Sequence, residues 1–437
     1  MTALTEQGRG VRVRAAATPA EIAGAGEVTV AAYLSDGLLT AEHPYTRELR
    51  DAARRAAEAT LLVALGPVGP GSAEPSVVGT LTLARHGSPW AEFAQPGEVE
   101  LRMLAVDPGA RGRGVGEALL RSALGEAVAL GAHRVVLSTL DSMRTAHRLY
   151  GRLGFVAAPA RDRHEHGIDL RVLEWTPPLA PGVAVEAATW PPLEVVDVDG
   201  WRVGISGGFT RRANSVLPLA EPGDVADALA RVERCYGERG LPTVFRVGRE
   251  SRPDGLRDLL LARGYAPVAV TDVLVLDGLG LTPDGGASSD PTTDLASGML
   301  PGVIGDVALD IADAPDEAWL TCWTGVKAGA SADLDLARRI VTGSRAAYLS
   351  ARDDTGVVGV IRAAFADDWA GLSCLTVVPA ARRRGLGRAL TRAALDVAAR
   401  SGARRSFLQV EAGNVGAGAL YAQMGFQPAD RYCYVER

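Results

Sequence analysis

The stretch ARGRGVGEALLRSAL, Ala110 to Leu124, returns near the other end of the 437-residue chain as ARRRGLGRALTRAAL, Ala381 to Leu395. A long-range repeat constrains a fold more than any local pattern, because both copies must close the same supersecondary unit. The offset is 271 residues and holds without a gap: Arg111 falls on Arg382, Gly114 on Gly385, Gly116 on Gly387, Tyr150 on Tyr421, Gly154 on Gly425 and Phe155 on Phe426. Roughly two dozen of about fifty-five aligned positions are identical, well above chance for this composition.

Periodicity gives each copy the same order of elements. In the first, VELRMLAV reads as a strand followed by a Pro and Gly turn, GEALLRSALGEAVALG as an amphipathic helix, HRVVLSTL as a strand, MRTAHRLYGRLG as a helix and FVAA as the start of another strand. Upstream lie RVRAA, two helical stretches that include TRELRDAARRAAEA, then TLLVAL and SVVGTLTLARH, for an overall order βααβββαβαββ. The second copy repeats this order from VALDIADA through DEAWLTCWTG, LDLARRIVTG, AAYLSAR, VVGVIRAAF and GLSCLTVV. Mixed strands and helices of this kind predict an α/β (α+β) class.

Two stretches rich in turn residues, TPPLAPG near Thr176 and LTPDGGASSDPTTDLASG near Leu281, bracket a middle segment of about a hundred residues, a plausible domain size. Three modules are therefore expected, over 1–178, 183–282 and 300–437. The end of the middle one, GLRDLLLARGYAPVAVTDVLVLDG, resembles the last helix and strands of the others, but Leu260 stands where they have tyrosine and no RxxGxG precedes it. It reads as a degenerate or partial third copy.

Composition removes several classes of function. Hydrophobic residues make up 47% and charged residues 22%, an ordinary globular balance. The formal net charge is −6, so no global positive field favours nucleic acid. Four scattered cysteines, Cys235, Cys322, Cys374 and Cys433, support neither a disulfide framework nor a zinc site, and suit a reducing cytoplasm. His164 and His166 in RHEHG lack a visible third ligand, so no metal is expected. The N-terminal stretch lacks an apolar signal region and no run approaches a membrane span, so an untargeted, soluble chain without membrane partners is expected.

Strand, glycine turn, then helix is the arrangement that presents free N–H groups and a helix N-terminus to phosphate. No GK[ST] follows, against a Walker loop, and the spacing is GxGxG without the expected acid after a following strand, against a dinucleotide fold. RNA-binding Arg-Gly tracts are long and disordered, whereas this one sits between periodic elements.

RGRGVG and RRRGLG resemble the RxxGxG/A signature, and AHRLYGRLGF and AGALYAQMGF the AxxLYxxxGF signature, of the GNAT superfamily of acyl-CoA-dependent N-acetyltransferases. The resemblance covers about the first 176 residues and again from about 303 onward. From about 183, the chain also resembles bacterial tandem GNAT proteins with one decayed half, such as mycothiol synthase. It implies a repeated GNAT fold, a mixed and mostly antiparallel sheet flanked by helices and splayed between its fourth and fifth strands. Acetyl-CoA would lie in that cleft as co-substrate. Backbone around Leu104 and Val106, or Leu375 and Val377, would hold its thioester carbonyl and pantetheine. Arg111, Gly112, Arg113, Gly114, Val115, Gly116 and Glu117, or Arg382, Arg383, Arg384, Gly385, Leu386, Gly387 and Arg388, would hold its pyrophosphate.

The implied reaction is direct attack by an amine on the thioester, with no covalent enzyme intermediate. A lysine-like amine of pKa about 10.4 is neutral in only ~1 molecule in 2,500 at pH 7, equivalent to about 4.6 kcal/mol, so a base or a desolvating site is needed. The family places its general acid at Tyr150 and Tyr421. Glu100 stands where histone-acetyltransferase-like members carry a catalytic glutamate, while the second copy has Gly371 there. Its base is left open among Glu411, Asp367, Asp368 and a water chain. Asn414 keeps the Asn that many members have before the AxxLY helix, and Met143 replaces it in the first copy. His43 and Tyr45 are expected to touch the acceptor, and Trp319 and Trp323 to pack in the core. The function expected is N-acetylation of a primary amine on a small molecule or peptide, mycothiol-synthase-like acetylation of a cysteinyl amine being one form. The alternative is an acetyl-CoA-binding sensor or scaffold with one or both modules silent.

Overall fold

The computed structural model describes residues 11–67, 75–165, 167–280, 303–304, 306–327 and 333–437. The linker-like stretch from Leu281 and His166 lie outside these. The chain divides into two compact units, 1–177 and 178–437. The first boundary falls inside TPPLAPG, where two adjacent prolines, Pro177 and Pro178, disfavour regular structure.

The first unit contains β1 (Arg12–Ala15), α1 (Pro19–Ser35), α2 (Tyr45–Arg50), α3 (Ala52–Glu58), β2 (Thr60–Leu65), β3 (Val77–Arg85), β4 (Glu98–Val106), α4 (Val115–Ala129), β5 (Arg134–Thr139), α5 (Arg144–Arg152), β6 (Val156–Ala157), β7 (Arg163–Glu165) and β8 (Ile168–Trp175). Its sheet runs β1-β2-β3-β4-β5-β8-β6, with β7 paired to β8, and among the described residues only β4 and β5 run parallel. The helix expected over TRELRDAARRAAEA is broken at Asp51. There ψ turns to 63° and the side chain leaves the helical path to accept the Arg54 N–H, so the aspartate caps α3 rather than continuing α2.

The second unit contains α6 (Gly182–Thr189), β9 (Glu194–Val198), β10 (Trp201–Ile205), β11 (Val216–Pro218), α7 (Val225–Gly237), β12 (Val244–Val247), α8 (Leu256–Ala262), β13 (Ala266–Asp277), β14 (Val303–Ile304), β15 (Val307–Ala312), α9 (Glu317–Lys327), α10 (Leu334–Val341), β16 (Ala346–Asp353), β17 (Gly356–Ala366), β18 (Trp369–Val377), α11 (Leu386–Arg400), β19 (Arg405–Glu411), α12 (Val415–Gln423) and β20 (Gln427–Glu436). One sheet runs β14-β15-β16-β17-β18-β19-β13-β20-β12-β11-β10-β9.

The repeat survives in three dimensions almost residue for residue. The offset that maps Arg111 onto Arg382 also maps both ends of β4 onto β18, of α4 onto α11 and of α5 onto α12. In each copy the amphipathic helix packs its apolar face on the sheet, Leu119, Leu120 and Leu124 over Leu81 and Leu101 in one, and Leu390, Ala394 and Val397 over Ile361 and Leu372 in the other.

The copies diverge in what borders the fifth strand. In the first unit β5 pairs with β8, its own later strand. In the second, β13 takes that place beside β19, while β20, which follows α12, lies one place further out between β13 and β12. The middle segment and the C-terminal copy thus interleave their last strands.

A buried arginine ties the helices of the second unit to this sheet. Arg362 on β17 has no exposed surface; its guanidinium donates to Val341 O at 2.8 Å, Thr189 O at 3.0 Å and Ser344 Oγ at 2.7 Å, closing the ends of α10 and α6. The matching strand position in the first unit is Thr82, which receives a guanidinium from the opposite direction, from Arg55 of α3 at 3.2 Å. Removing Arg362 leaves buried carbonyls unpaired. Arg362→Met is expected to destabilise the second unit by about 3 kcal/mol in urea denaturation, most of it from orphaned hydrogen-bond acceptors.

Candidate active site

Each copy splits its sheet at the same point. Parallel pairing runs from Glu98 with Arg134 to Leu101 with Leu137, and from Trp369 with Arg405 to Leu372 with Leu408, and then stops. Two residues on, Met103 and Cys374 adopt φ of 53° and 62°, a left-handed bulge that swings the strand away from its neighbour. Val106 and Val377 keep partners only on the other side, Gly79 and Gly359. The edges of Leu104 to Val106 and of Leu375 to Val377 that face the fifth strand are left unpaired by the sheet.

The glycine turns follow directly. Gly112 and Arg383 have φ of 72° and 68°, and Gly114 and Gly385 both 81°, so the two turns share one conformation although arginine occupies a left-handed position in the second. Gly114 and Gly385 start α4 and α11 without a side-chain cap. The first intrahelical bonds run from Ala118 N–H to Gly114 O and from Ala389 N–H to Gly385 O, leaving the preceding N–H groups directed outward. A Cβ at Gly112, Gly114 or Gly385 would meet open space, whereas one at Gly116 or Gly387 would lie 3.5 Å from Leu149 or Leu420. The positive φ at Gly112, Gly114 and Gly385 suits glycine, whereas a Cβ at Gly116 or Gly387 would make only ordinary contact.

The charges on the two turns differ. Residues 111–117 carry Arg111, Arg113 and Glu117, and residues 382–388 carry Arg382, Arg383, Arg384 and Arg388, a formal +1 against +4. Arg111 is held by Asp36 at 2.7 Å and Glu117 by Arg121 at 2.9 Å. In the second turn Arg384 pairs with Asp306, Arg382 donates to Val377 O, and Arg388 donates to Gln423.

Tyr150 and Tyr421 sit alike, each buried, with its ring 5.8 Å from Phe155 or Phe426. Burial pushes both phenols up to about 12. Around Tyr421 the second unit opens a cleft of about 800 Å³, a size that suits a small ligand. It brings together Leu375, Glu411, Asn414 and Tyr421 with Trp190, Arg211, Arg212 and Phe209 of the middle segment and Tyr432 and Tyr434 of β20. Glu411 is exposed, 4.0 Å from Arg211. Asn414 caps α12 by accepting the Ala417 N–H at 3.1 Å, and Met143 makes no such bond in α5. Asp367 and Asp368 lie in the β17–β18 turn, at the other end of β18 from the split; the Arg405 guanidinium at 2.8 Å holds the Asp368 carboxyl below the usual range.

Glu100 has a different setting. It has no exposed surface; Oε2 accepts N–H groups of Glu92, Phe93 and Ala94 at 2.7, 2.6 and 3.2 Å, while Oε1 makes no hydrogen bond and lies 3.9 Å from Arg102 Nε. Burial pushes this carboxyl up against the opposing pull of those N–H groups and Arg102. It anchors the loop before β4. At Gly371 the equivalent space is occupied: a Cβ would come within 2.9 Å of Phe407 and of Thr189 Oγ1 at the end of α6. His43 Nδ1 accepts the Tyr45 N–H, and His164 pairs with Asp169 at 2.7 Å. Trp319 and Trp323 are core residues, and Trp323 also reaches the cleft.

Sequence reasoning missed Glu186. Buried on α6, it pairs with buried Arg246 at 2.7 Å and accepts from Gln409 Nε2. Burial pushes its carboxyl up, and Arg246 opposes that. A lone acid in the apolar helix GVAVEAAT was the available signal, as was the i, i+2 pair Tyr432 and Tyr434 on one face of β20. Gly371→Glu, which would restore the acid of the first copy, is expected to cost about 1–3 kcal/mol by overpacking Thr189 and Phe407, read as a lowered thermal midpoint.

The family described as probable histone acetyltransferase Rv0428c C-terminal matches residues 183–435, and the acetyltransferase (GNAT) family matches residues 32–155. Uncharacterized N-acetyltransferase YobR of Bacillus subtilis is 24% identical over 251 residues, 57% of this chain and 94% of its own. Among solved structures, a GCN5-related N-acetyltransferase from Kribbella flavida is 18% identical, spans 59% of this chain and 96% of its own, and has a TM-score of 0.41. A tandem GNAT protein from the clavulanic acid biosynthesis pathway is 16% identical, spans 98% of each chain, and has a TM-score of 0.32.

Proposed function

The chain belongs to the GNAT acetyltransferases, and to the family of the Rv0428c C-terminal segment within them, and we propose that its second unit transfers an acetyl group from acetyl-CoA to a primary amine of a small molecule or peptide. The observation that carries this reading is the cleft beside the split strands, where Leu375 and Tyr421 of the repeat meet a wall supplied by the middle segment. Its cradle fits a pyrophosphate: uncapped N–H groups, open space at Gly385 and four arginines from 382 to 388.

In the proposed reaction the neutral amine attacks the thioester carbonyl, a C–N bond forms, and the C–S bond breaks to release the CoA thiolate. Backbone groups freed by the bulge at Cys374 orient the thioester. Tyr421 stands as the donor to the departing sulfur. With its phenol pushed up to about 12, Tyr421 is a weaker acid than a thiol near ~8.5, so complete proton transfer to the sulfur would be uphill. Tyr421 therefore stabilises the thiolate by a charge-assisted hydrogen bond, and the proton that neutralises it comes in the end from the amine. Glu411, exposed at the rim, relays that proton to water; Glu436 is the other carboxylate lining the cleft.

A second reading concerns the first unit, and the Glu100 cage favours it. A carboxylate whose Oε2 is occupied by three N–H groups is a loop anchor, and the first cradle carries a lower charge. The first unit then binds acetyl-CoA weakly and without turnover.

Tyr421→Phe is expected to lower kcat ~10–100-fold, the worth of one hydrogen bond to a charged group, with the Kd for acetyl-CoA unchanged. Tyr150→Phe should leave kcat within about 2-fold; the opposite pattern assigns turnover to the first unit, and no amine-dependent thiol release from the wild type overturns the enzyme reading. Because its raised pKa keeps Tyr421 protonated, the rate should rise with pH as the amine deprotonates and show no descending limb below pH ~11, measured as kcat/KM between pH 6 and 10.5.

A further inference from the structure

Arg362 is a buried cation whose hydrogen bonds do not neutralise it. It has no exposed surface, and its acceptors among the described residues are the carbonyls of Val341 and Thr189 and the hydroxyls of Ser344 and Ser373. None is a carboxylate. Closing the ends of α6 and α10 needs donors, not a net charge, and a charge held away from water without a counter-ion is costly.

The groups around it leave that charge in place. Tyr348, opposite Arg362 on β16, and Cys322 of α9 stay neutral, because burial pushes the phenol up and the thiol up to about 11; Cys374 of β18 packs in the same core. The acid of α6, Glu186, is bonded to Arg246 at 2.7 Å, and Arg338 of α10 donates to Pro315 O. Trp190 carries two guanidinium groups, those of Arg362 and Arg212, each 5.2 Å from its ring. At the rim of the cleft Glu411 and Glu436 stand 4.0 and 3.9 Å from Arg211.

The charge lies one side chain from the cleft. Arg362 Nη1 is 3.5 Å from Ser373 Oγ, and Ser373 and Trp190 both line the cleft. Ser373 directly precedes Cys374, the bulge at which the sheet splits, so it stands beside the edge where the thioester is held. A group bonded to Ser373 Oγ would lie about 6 Å from the guanidinium, where an effective dielectric near ~20 lets a like charge lower its pKa by about 2 units. The first unit differs at this strand position. There Arg102 replaces Ser373, bonds Glu92 and lies 3.9 Å from Glu100.

We propose that the uncompensated charge of Arg362 keeps the acceptor bound in the second unit as its neutral amine, and so stands in for the acid that Gly371 does not provide. Arg362 touches neither substrate nor cofactor; its field disfavours the ammonium form, and the proton leaves through the rim to water. The proposal rests on the acetyl-transfer reading.

Because Arg362 also closes two helix ends, its charge is tested where it stands. Ser373→Asp sets a carboxylate beside it, and Ser373→Asn sets the same shape without the charge. Excess full-length protein is mixed with acetyl-CoA and a saturating amine, the best acceptor among alkylamines, amino-acid amides and lysine peptides, and thiol release is followed in a single turnover from pH 6 to 10.5. The wild-type rate should rise with a midpoint ~1–2 pH units below the pKa of the free amine, while kcat/KM follows the free amine itself. Ser373→Asp should move the midpoint up by ~1 unit and lower the rate and KM together ~10-fold at pH 7, with kcat/KM within about 3-fold. Ser373→Asn and Arg362→Lys should keep the wild-type midpoint. A wild-type midpoint at the free amine's pKa, or one midpoint shared by the Asp and Asn variants, overturns the inference while acetyl transfer stands. No amine-dependent thiol release from the wild type overturns both.

Discussion

Everything in the candidate site follows from a parallel strand pair that comes apart. Backbone N–H and C=O groups within a sheet are satisfied by their neighbours, and a strand that abandons its neighbour leaves such groups without partners. Here the departure is enforced by a left-handed residue in each copy, Met103 and Cys374, at a conformation that side chains other than glycine adopt only at a cost. That cost recurs at the same position in both units. A strained residue repeated with its surroundings marks a constraint that packing alone does not require. In the second unit the unpaired edge at Leu375 and Tyr421 on the facing helix line one cleft, and the glycine turn follows that edge in the chain.

The second unit shows how such a groove acquires an acceptor side. β13 enters beside β19, and β20 moves out to meet β12, so the middle segment cannot be lifted away without opening the sheet that forms the cleft. Leu260, which stands where the other copies have Tyr150 and Tyr421, is wholly buried in the core of that segment. The segment contributes surface: Trp190, Phe209, Arg211 and Arg212 line the cleft, and Thr189 fills the space that Gly371 leaves. Glycine at 371 and the end of α6 are two halves of one packing solution.

The glycine turn and the tyrosine helix were legible in the sequence because they are local. The turn, its helix and the tyrosine helix lie within about fifty residues, and their spacing is fixed by hydrogen bonding inside each copy. The order of elements and the mixed sheet with its parallel pair were readable for the same reason, apart from the break at Asp51, where a side-chain cap overrides helical periodicity. The strand exchange was not readable. β13 and β20 are both long strands that follow a short helix and a Gly-aromatic pair, and neither that order nor their alternation says which one lies beside β19. Glu186 escaped notice for a related reason, since its partners Arg246 and Gln409 are brought to it only by tertiary contact. Glu100 was visible as a residue, but its environment was not: the loop N–H groups that enclose it come from 92–94, a stretch with no pattern of its own.

The first turns of the two cradle helices carry opposite preferences. In α4, Glu117 lies at the positive end of the helix dipole, where an acid stabilises the helix by about 0.3–1 kcal/mol, and Arg121 holds it there. That arrangement favours the helix standing alone and competes with any other anion at its start. In α11 the same position is Arg388, no acid lies in the first turn, and no side chain caps Gly385. A cation at a helix N-terminus costs a comparable amount, and three more arginines precede it. Local stability and local charge therefore conflict in the second copy and agree in the first. In the second cradle an anion would ease that conflict, adding to the contacts that Arg382, Arg384 and Arg388 already make with Val377 O, Asp306 and Gln423. The first retains the shape of a cradle with a charge pattern that also serves the helix on its own.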